Sequence, residues 1–244
     1  MNTAIILGAS SGVGRALAEK LAKNGWNLVL CARSRRDLEA NAANISLKYS
    51  IDTQILAIDI NEKEEREELI SYVSKRKDIN SIFISIGEVV EHDNGLQDSL
   101  VIDRLANSNF VSIMHFLSNI IQLHNKKDKL NICLLSSIAI CRPRKNNLVY
   151  ATSKMALDFY CRGLQHLLVG TSIKIIIFRL GYIDTVMSYG KKLLLTPISS
   201  NLAAEKIISK LNKRKRIHYF PGYWRYLVIA VKLVPWTIYK KLSF

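Results

Sequence analysis

Tyr150 and Lys154 stand four residues apart, and Ser137 lies 13 residues before the tyrosine. On a helix, a four-residue step puts two side chains on one face about a turn apart, so this pair can share one proton-transfer task. A free tyrosine titrates near pH ~10, and its use near neutrality requires an adjacent cation or a strong relay. Lys154 provides that charge. The Ser137 hydroxyl can donate to a carbonyl oxygen and stabilise the negative charge that grows there, leaving Tyr150 to donate the proton. Ser136 competes for the serine role. Taken alone, Tyr-x-x-x-Lys is often an ordinary helix face, so the surrounding elements decide its meaning.

A second segment with chemical potential is Gly8-Ala-Ser10-Ser11-Gly12-Val13-Gly14. Glycines here let the backbone turn tightly and approach a pyrophosphate, which the amides and dipole of a helix amino terminus stabilise. An ordinary glycine-rich turn is the plain alternative. Further on, Leu30-Cys31-Ala32-Arg33 closes a strand-like run. An acid at this position would bond the adenosine ribose hydroxyls, whereas an arginine accommodates a 2′-phosphate. Ala32 leaves the acid absent and Arg33 supplies the cation, which favours NADPH over NADH; a solvent-facing arginine at a helix start is the competing reading.

These groups need a scaffold, and the chain reads as one. Short β-branched runs at Ala4–Leu7, Asn27–Ala32, Gln54–Ile58, Ser81–Ser85, Asn131–Leu135, Lys174–Phe178 and Ile217–Phe220 alternate with amphipathic stretches near 13–24, 35–48, 62–76, 99–124, 149–169 and 201–212. Most strand runs are continuously apolar, as expected where helices cover both faces of a parallel sheet. The pattern predicts an α/β fold: a Rossmann-type, doubly wound, mostly parallel seven-stranded sheet whose ligands sit beyond the carboxyl ends of the strands. Residues 1–216 would form the dinucleotide-binding unit. Residues 217–244 would add the last strand and an amphipathic helical extension to the same domain.

The G-x-x-x-G-x-G spacing and the Ser137, Tyr150, Lys154 set resemble the short-chain dehydrogenase/reductase family over residues 1 to about 200. The resemblance implies a ketoreductase dependent on NADPH or NADH, and the family's usual serine-to-tyrosine interval favours Ser137 over Ser136. Asn109 falls where the family carries a helix asparagine that holds a water behind the lysine, with Asn107 as the alternative. Asp59 resembles the adenine-contacting aspartate, followed by Ile60, although a helix cap before 61–76 would also explain it. Ser85-Ile86-Gly87 keeps only the glycine of the family's Asn-Asn-Ala-Gly, and Leu180-Gly181 replaces its Pro-Gly, while Ile183 and Thr185 keep the expected nicotinamide contacts. A homo-oligomer is also implied.

Of the net charge of +15, residues 160–244 carry +13, with only Asp184 and Glu205 as acids there. Basic residues interleaved with Trp and Tyr at one end favour an anionic membrane surface over a nucleic-acid groove, so no nucleic acid is expected. A solvated basic tail, or a helix packed on the core or a partner subunit, would account for the same residues. The longest apolar run there, Tyr226 to Val231, falls well short of the ~18 to 20 residues that span a bilayer. The chain opens on a strand-like run with no basic n-region, which predicts a cytoplasmic protein lying peripherally on the inner face of the cell membrane.

The four cysteines (31, 133, 141, 161) form no CxxC pair and read as reduced thiols. The five histidines (92, 115, 124, 166, 218) show no metal spacing, so no metal is expected.

The tail, with Arg142-Pro-Arg-Lys-Asn-Asn-Leu-Val-Tyr150 and Met187-Ser188, is similar to one branch of the family, the reductase subunits of decaprenylphosphoryl-ribose 2-epimerases. That likeness implies a keto-sugar on a polyprenyl phosphate, made by a flavin-dependent oxidase partner, as substrate in cell-envelope glycan synthesis. A reductase of another hydrophobic ketone (ketoacyl, steroid or sphingoid) shares every motif up to residue 200. A non-catalytic dinucleotide-binding membrane scaffold would have no need of the proton relay.

Overall fold

The computed structural model describes residues 2–91, 93–186, 188 and 195–242. His92, Met187 and the last two residues of the tail, all singled out above, lie outside the described residues.

Seven strands form one parallel sheet: β1 (Thr3–Leu7), β2 (Asn27–Ala32), β3 (Thr53–Ala57), β4 (Ile79–Ile84), β5 (Leu130–Ser137), β6 (Ile173–Leu180) and, after two short strands, β9 (Ile217–Phe220). The spatial order is β3-β2-β1-β4-β5-β6-β9, and every pairing is parallel. The order reverses between β1 and β4, where two crossovers diverge and leave a crevice at the strand carboxyl ends.

Period-two alternation sends the residues of each strand to opposite layers. Ile5 and Leu7 of β1 join a core with α3 (Lys63–Ser74), α5 (Ser112–Leu123) and α6 (Leu148–Leu167). Ala4 and Ile6 join the other, with α1 (Gly12–Lys23), α2 (Arg35–Lys48) and α7 (Ser200–Ile208). Both faces of β1 are fully buried, which explains why it reads as an unbroken apolar run.

Three features differ from the sequence expectation. The single helix expected over 99–124 is divided into α4 (Ser99–Ala106), a π turn (Asn107–Val111) and α5. A π turn inserts an extra residue per turn, and here it carries Asn109, whose side chain bonds the backbone of Glu88 on the loop after β4. A two-residue parallel ladder of β7 (Ile183–Asp184) and β8 (Ile198–Ser199) lies outside the main sheet, too short to leave a periodic signal. The tail bends at Pro235 between α8 (Trp224–Leu233) and α9 (Trp236–Tyr239). Element boundaries elsewhere move by a few residues at most, as frayed ends do.

Trp224, Val228 and Tyr239 of the tail are buried, while Tyr226, Ile229, Leu233 and Trp236 are exposed. The Trp224 indole meets the Tyr182 ring edge-on at 5.4 Å, and a Cβ on Gly181 would strike it at 2.0 Å. A glycine is therefore needed at 181 for the tail to close on the end of β6. Arg142 locks the other end: it donates to the carbonyl oxygens of Val231 and Val234 and lies over the Tyr239 ring at 4.1 Å. The core-packing reading of the tail thus holds for one side of it, and an apolar side remains uncovered. Among the described residues, no helix is long and apolar enough to cross a membrane.

Candidate active site

A cleft of about 890 Å³ opens where the sheet order reverses. The residues expected at the cofactor line it: Gly8, Ser10, Ser11, Gly12, Val13 and Gly14 of the first turn, Arg33, Asp59 and Ile60 at the ends of β2 and β3, Gly87 after β4, and Gly181, Ile183 and Thr185 after β6. Ser137, Tyr150 and Lys154 share the same wall.

The first turn fits a dinucleotide phosphate. Gly8 and Gly12 hold φ of 87° and 53°, in the left-handed region that favours glycine. A Cβ on Gly14 would lie 2.1 Å from the Gly8 carbonyl oxygen, so only hydrogen there permits the turn. Ser11 is the N-cap of α1 but its side chain caps no amide, which leaves the helix amino terminus open to an anion. Ser85 donates to the carbonyls of Leu7 (2.7 Å) and Gly8 (3.1 Å), so a serine braces the turn where the family usually places an asparagine. Asn41, on α2, donates to the Ala9 carbonyl at 3.1 Å and braces it from the other side.

Arg33 is well exposed at the cleft margin, with a guanidinium nitrogen 3.9 Å from an Asp59 carboxylate oxygen. Asp59 also accepts the Asn61 amide at 2.9 Å. It shapes a turn ahead of α3, while Glu62 is the N-cap of that helix.

At the far end of the cleft, the Ser137 hydroxyl beside the Tyr150 phenol favours the phenolate, as does the charge of Arg144. Burial is the larger effect and pushes the phenol above its ordinary value, so Tyr150 keeps its proton. Lys154 is 3 % exposed and donates to the Ile86 carbonyl at 2.6 Å; burial brings its ammonium down to about 8. The lysine expected to lower the tyrosine's pKa is therefore held on the loop after β4, and its own charge is penalised.

Ser136, the other candidate serine, is engaged away from Tyr150. Its hydroxyl donates to Asp158 at 3.0 Å, on a buried carboxylate that also pairs with Arg179 at 2.7 Å. Asn109 is fully buried and lies behind the cleft wall. Its amide oxygen accepts the Glu88 N–H at 2.8 Å and its nitrogen donates to the Glu88 carbonyl at 2.9 Å, which sets the strand-4 loop that carries Gly87 and faces Lys154.

The sequence reading missed Asp93. Its carboxylate accepts the amides of Val149 (3.0 Å) and Tyr150 (2.9 Å), and its carbonyl accepts that of Leu148 (3.1 Å). It is 1 % exposed. No local signal marked it: Asn147 is a residue type that caps helices, yet it lies in the left-handed region and makes no capping bond, so the cap comes from elsewhere. Among the described residues, no cluster of three metal-binding side chains exists. The cysteines are free, with Cys31, Cys133 and Cys161 buried and Cys141 half-buried.

The family model for short chain dehydrogenases matches residues 2–193. The chain belongs to the short-chain dehydrogenase family. It is accordingly an NAD(P)-dependent oxidoreductase. This short-chain dehydrogenase is 27 % identical over 235 residues to the hydroxysteroid dehydrogenase-like protein 1 of Gallus gallus, covering 92 % of this chain and 69 % of that one. It is 24 % identical over 243 residues to an uncharacterized oxidoreductase of Mycobacterium tuberculosis, covering 98 % and 96 %. In fold it is similar to a short-chain dehydrogenase from Sphingobium yanoikuyae solved with NADPH, at a TM-score of 0.82, 19 % identity and coverage of 100 % and 97 %.

Proposed function

We propose that this short-chain dehydrogenase is an NADPH-preferring ketoreductase acting on the 2-keto group of a pentofuranose linked to a polyprenyl phosphate. The observation that carries the ketoreductase reading is the placing of Ser137, Tyr150 and Lys154 on the wall of one cleft shared with the first glycine turn. A bound nicotinamide supplies hydride. Ser137 donates to the substrate carbonyl oxygen and stabilises its growing negative charge. Tyr150, held protonated by burial, releases its phenolic proton to that oxygen, and the resulting phenolate is stabilised by Ser137 and by nearby positive charge. Asn109 keeps Lys154 and the strand-4 loop in place. Gly8 to Gly14, Arg33, Asp59, Ile60, Gly87, Gly181, Ile183 and Thr185 form the cofactor's bed.

The sugar-lipid substrate is supported by the likeness to decaprenylphosphoryl-ribose 2-epimerase reductase subunits and by a basic, aromatic tail folded against the cleft's β6 rim. A flavin-dependent oxidase would then be the partner that makes the keto-sugar. The uncovered apolar side of the tail would rest on the inner face of an anionic membrane, and a homo-oligomer would present several such tails. A second reading, reduction of another hydrophobic ketone, is favoured by the likeness to the Gallus gallus steroid dehydrogenase-like protein.

NADPH oxidation against a polyprenyl-phospho-keto-pentose, ketoacyl, steroid and sphingoid ketones decides between the two. The keto-sugar should be reduced most efficiently, and preference for any of the others would replace the sugar-lipid reading. Tyr150→Phe should bind NADPH as the parent does and turn over at least about a hundredfold more slowly, within the range a positioned general acid contributes. An undiminished rate would remove Tyr150 from the mechanism.

A further inference from the structure

We propose that a second, smaller cavity beside the cleft is a phosphate subsite, holding the anionic end of an amphipathic ketone whose carbonyl lies at Tyr150. This deepens the ketoreductase reading and rests on it. The cavity measures about 240 Å³, between the loop after the Ile138–Cys141 turn and helix α9; Arg144, Lys145 and Lys240 line it beside Trp236, Tyr239 and Leu242. Sites for whole small molecules run to roughly 300–1,000 Å³. This one suits one end of a ligand whose remainder lies elsewhere. Arg144 lines both this cavity and the cleft that holds Ser137 and Tyr150. Its charge acts on the phenols of both Tyr150 and Tyr239. The two spaces therefore share a wall.

The cations in this region divide into two kinds. Arg142 is occupied by the carbonyls of Val231 and Val234 and by the Tyr239 and Trp236 rings. Arg144, Lys145 and Lys240 have no ion-pair partner among the described residues. Three like charges around one hollow repel each other unless an anion joins them. A phosphate monoester, with three acceptor oxygens and close to two negative charges, matches three cations better than a carboxylate with two oxygens and one charge. Trp236, Ile238 and Leu242, all exposed, continue from the cavity as a surface for an apolar chain. The ligand is thus anionic where it meets the loop and apolar where it leaves.

Titration of the full chain with n-decyl phosphate, n-decyl maltoside and inorganic phosphate, below micelle-forming concentrations and followed by calorimetry, tests the site. Decyl phosphate should bind at least about tenfold more tightly than either comparator, the scale of one or two charge-assisted contacts. The Lys145→Ala/Lys240→Ala double variant should lose that margin with its melting temperature and NADPH dissociation constant unchanged. Arg144 stays intact in this variant because its charge also acts on Tyr150. Decyl phosphate should also compete with the ketone in NADPH-dependent reduction. Equal affinity for the phosphate and the maltoside, or a margin that survives the double substitution, overturns the proposal. Binding that leaves ketone reduction untouched overturns it too, making the cavity a lipid-headgroup contact. Retained decyl phosphate binding with no ketone reduced overturns the ketoreductase reading instead.

Discussion

Lys154 is buried with its ammonium on the Ile86 carbonyl, and its pKa falls from 10.5 in the open chain to about 8 in the fold. Below pH 8 both states are protonated and the fold bears the whole penalty; between 8 and 10.5 the folded state releases its proton first, so stability rises with pH across that window. The full span corresponds to about 3 kcal/mol. The buried thiols of Cys31, Cys133 and Cys161 act in the opposite sense above pH ~9, because burial raises their pKa values and the unfolded chain ionises first. A comparison with Lys154→Met isolates the lysine: by urea unfolding, wild type should gain about 1 kcal/mol on the variant between pH 7 and pH 9. The variant should have lost its reductase activity at either pH. A parallel pair of stability curves would mean the ammonium is not desolvated. Arg33 offers a separate test, since Ala32 leaves no acid to favour the unphosphorylated ribose. Arg33→Ala should raise the Michaelis constant for NADPH about tenfold or more and that for NADH little, the loss of a charge-assisted contact to a dianion. Equal changes would show the guanidinium serving only Asp59, 3.9 Å away.

At the scale of elements, helix α6 presents both Tyr150 and Lys154, and its first turn is fastened from outside by Asp93. The Tyr150 amide itself is one of the bonds, so the cap fixes the backbone from which the phenol projects. Asp93→Ala should cost about 1–2 kcal/mol in urea unfolding, the usual value of a lost N-cap, and should lower kcat with little change in KM. Asp93→Asn, which keeps one acceptor oxygen, should recover part of both. A variant that loses stability but keeps kcat and its pH profile would make Asp93 a purely structural cap. The π turn shows the same division of labour. Composition marks 99–124 as helical, yet the register shift that turns Asn109 toward Glu88 depends on where the strand-4 loop lies, more than 20 residues away in sequence.

For the molecule as a whole, the basic tail is both a packed element and an exposed surface. Removing it would uncover Gly181 and Tyr182 and confuse unfolding with lost membrane binding, because Trp224 and Tyr239 are buried in the fold. Replacing Tyr226, Ile229 and Leu233 with serine is cleaner, since these are 71 %, 50 % and 78 % exposed. The triple variant should keep its melting temperature and lose sedimentation with anionic vesicles, while the parent should bind them in a manner that salt weakens but does not abolish. A parent that ignores anionic vesicles would remove the membrane from the account.

Period, spacing and residue type were enough to read the parallel sheet, the glycine turn and the Ser137, Tyr150, Lys154 set, because each depends on contacts within one strand, turn or helix. Ala4 to Leu7 must be covered on both faces, and Tyr150 and Lys154 must share a helix face, wherever the rest of the chain goes. Nothing local distinguishes the Ser136 hydroxyl from that of Ser137; the carboxylate that holds it, Asp158, lies 22 residues on. Asp93 and Asn41 carry no local pattern either; they act by reaching distant backbone, and only the folded chain brings donor and acceptor together. Electrostatics was the least legible layer. A lysine four residues from a tyrosine suggests a lowered phenol pKa, but burial desolvates both groups and leaves the proton on the tyrosine.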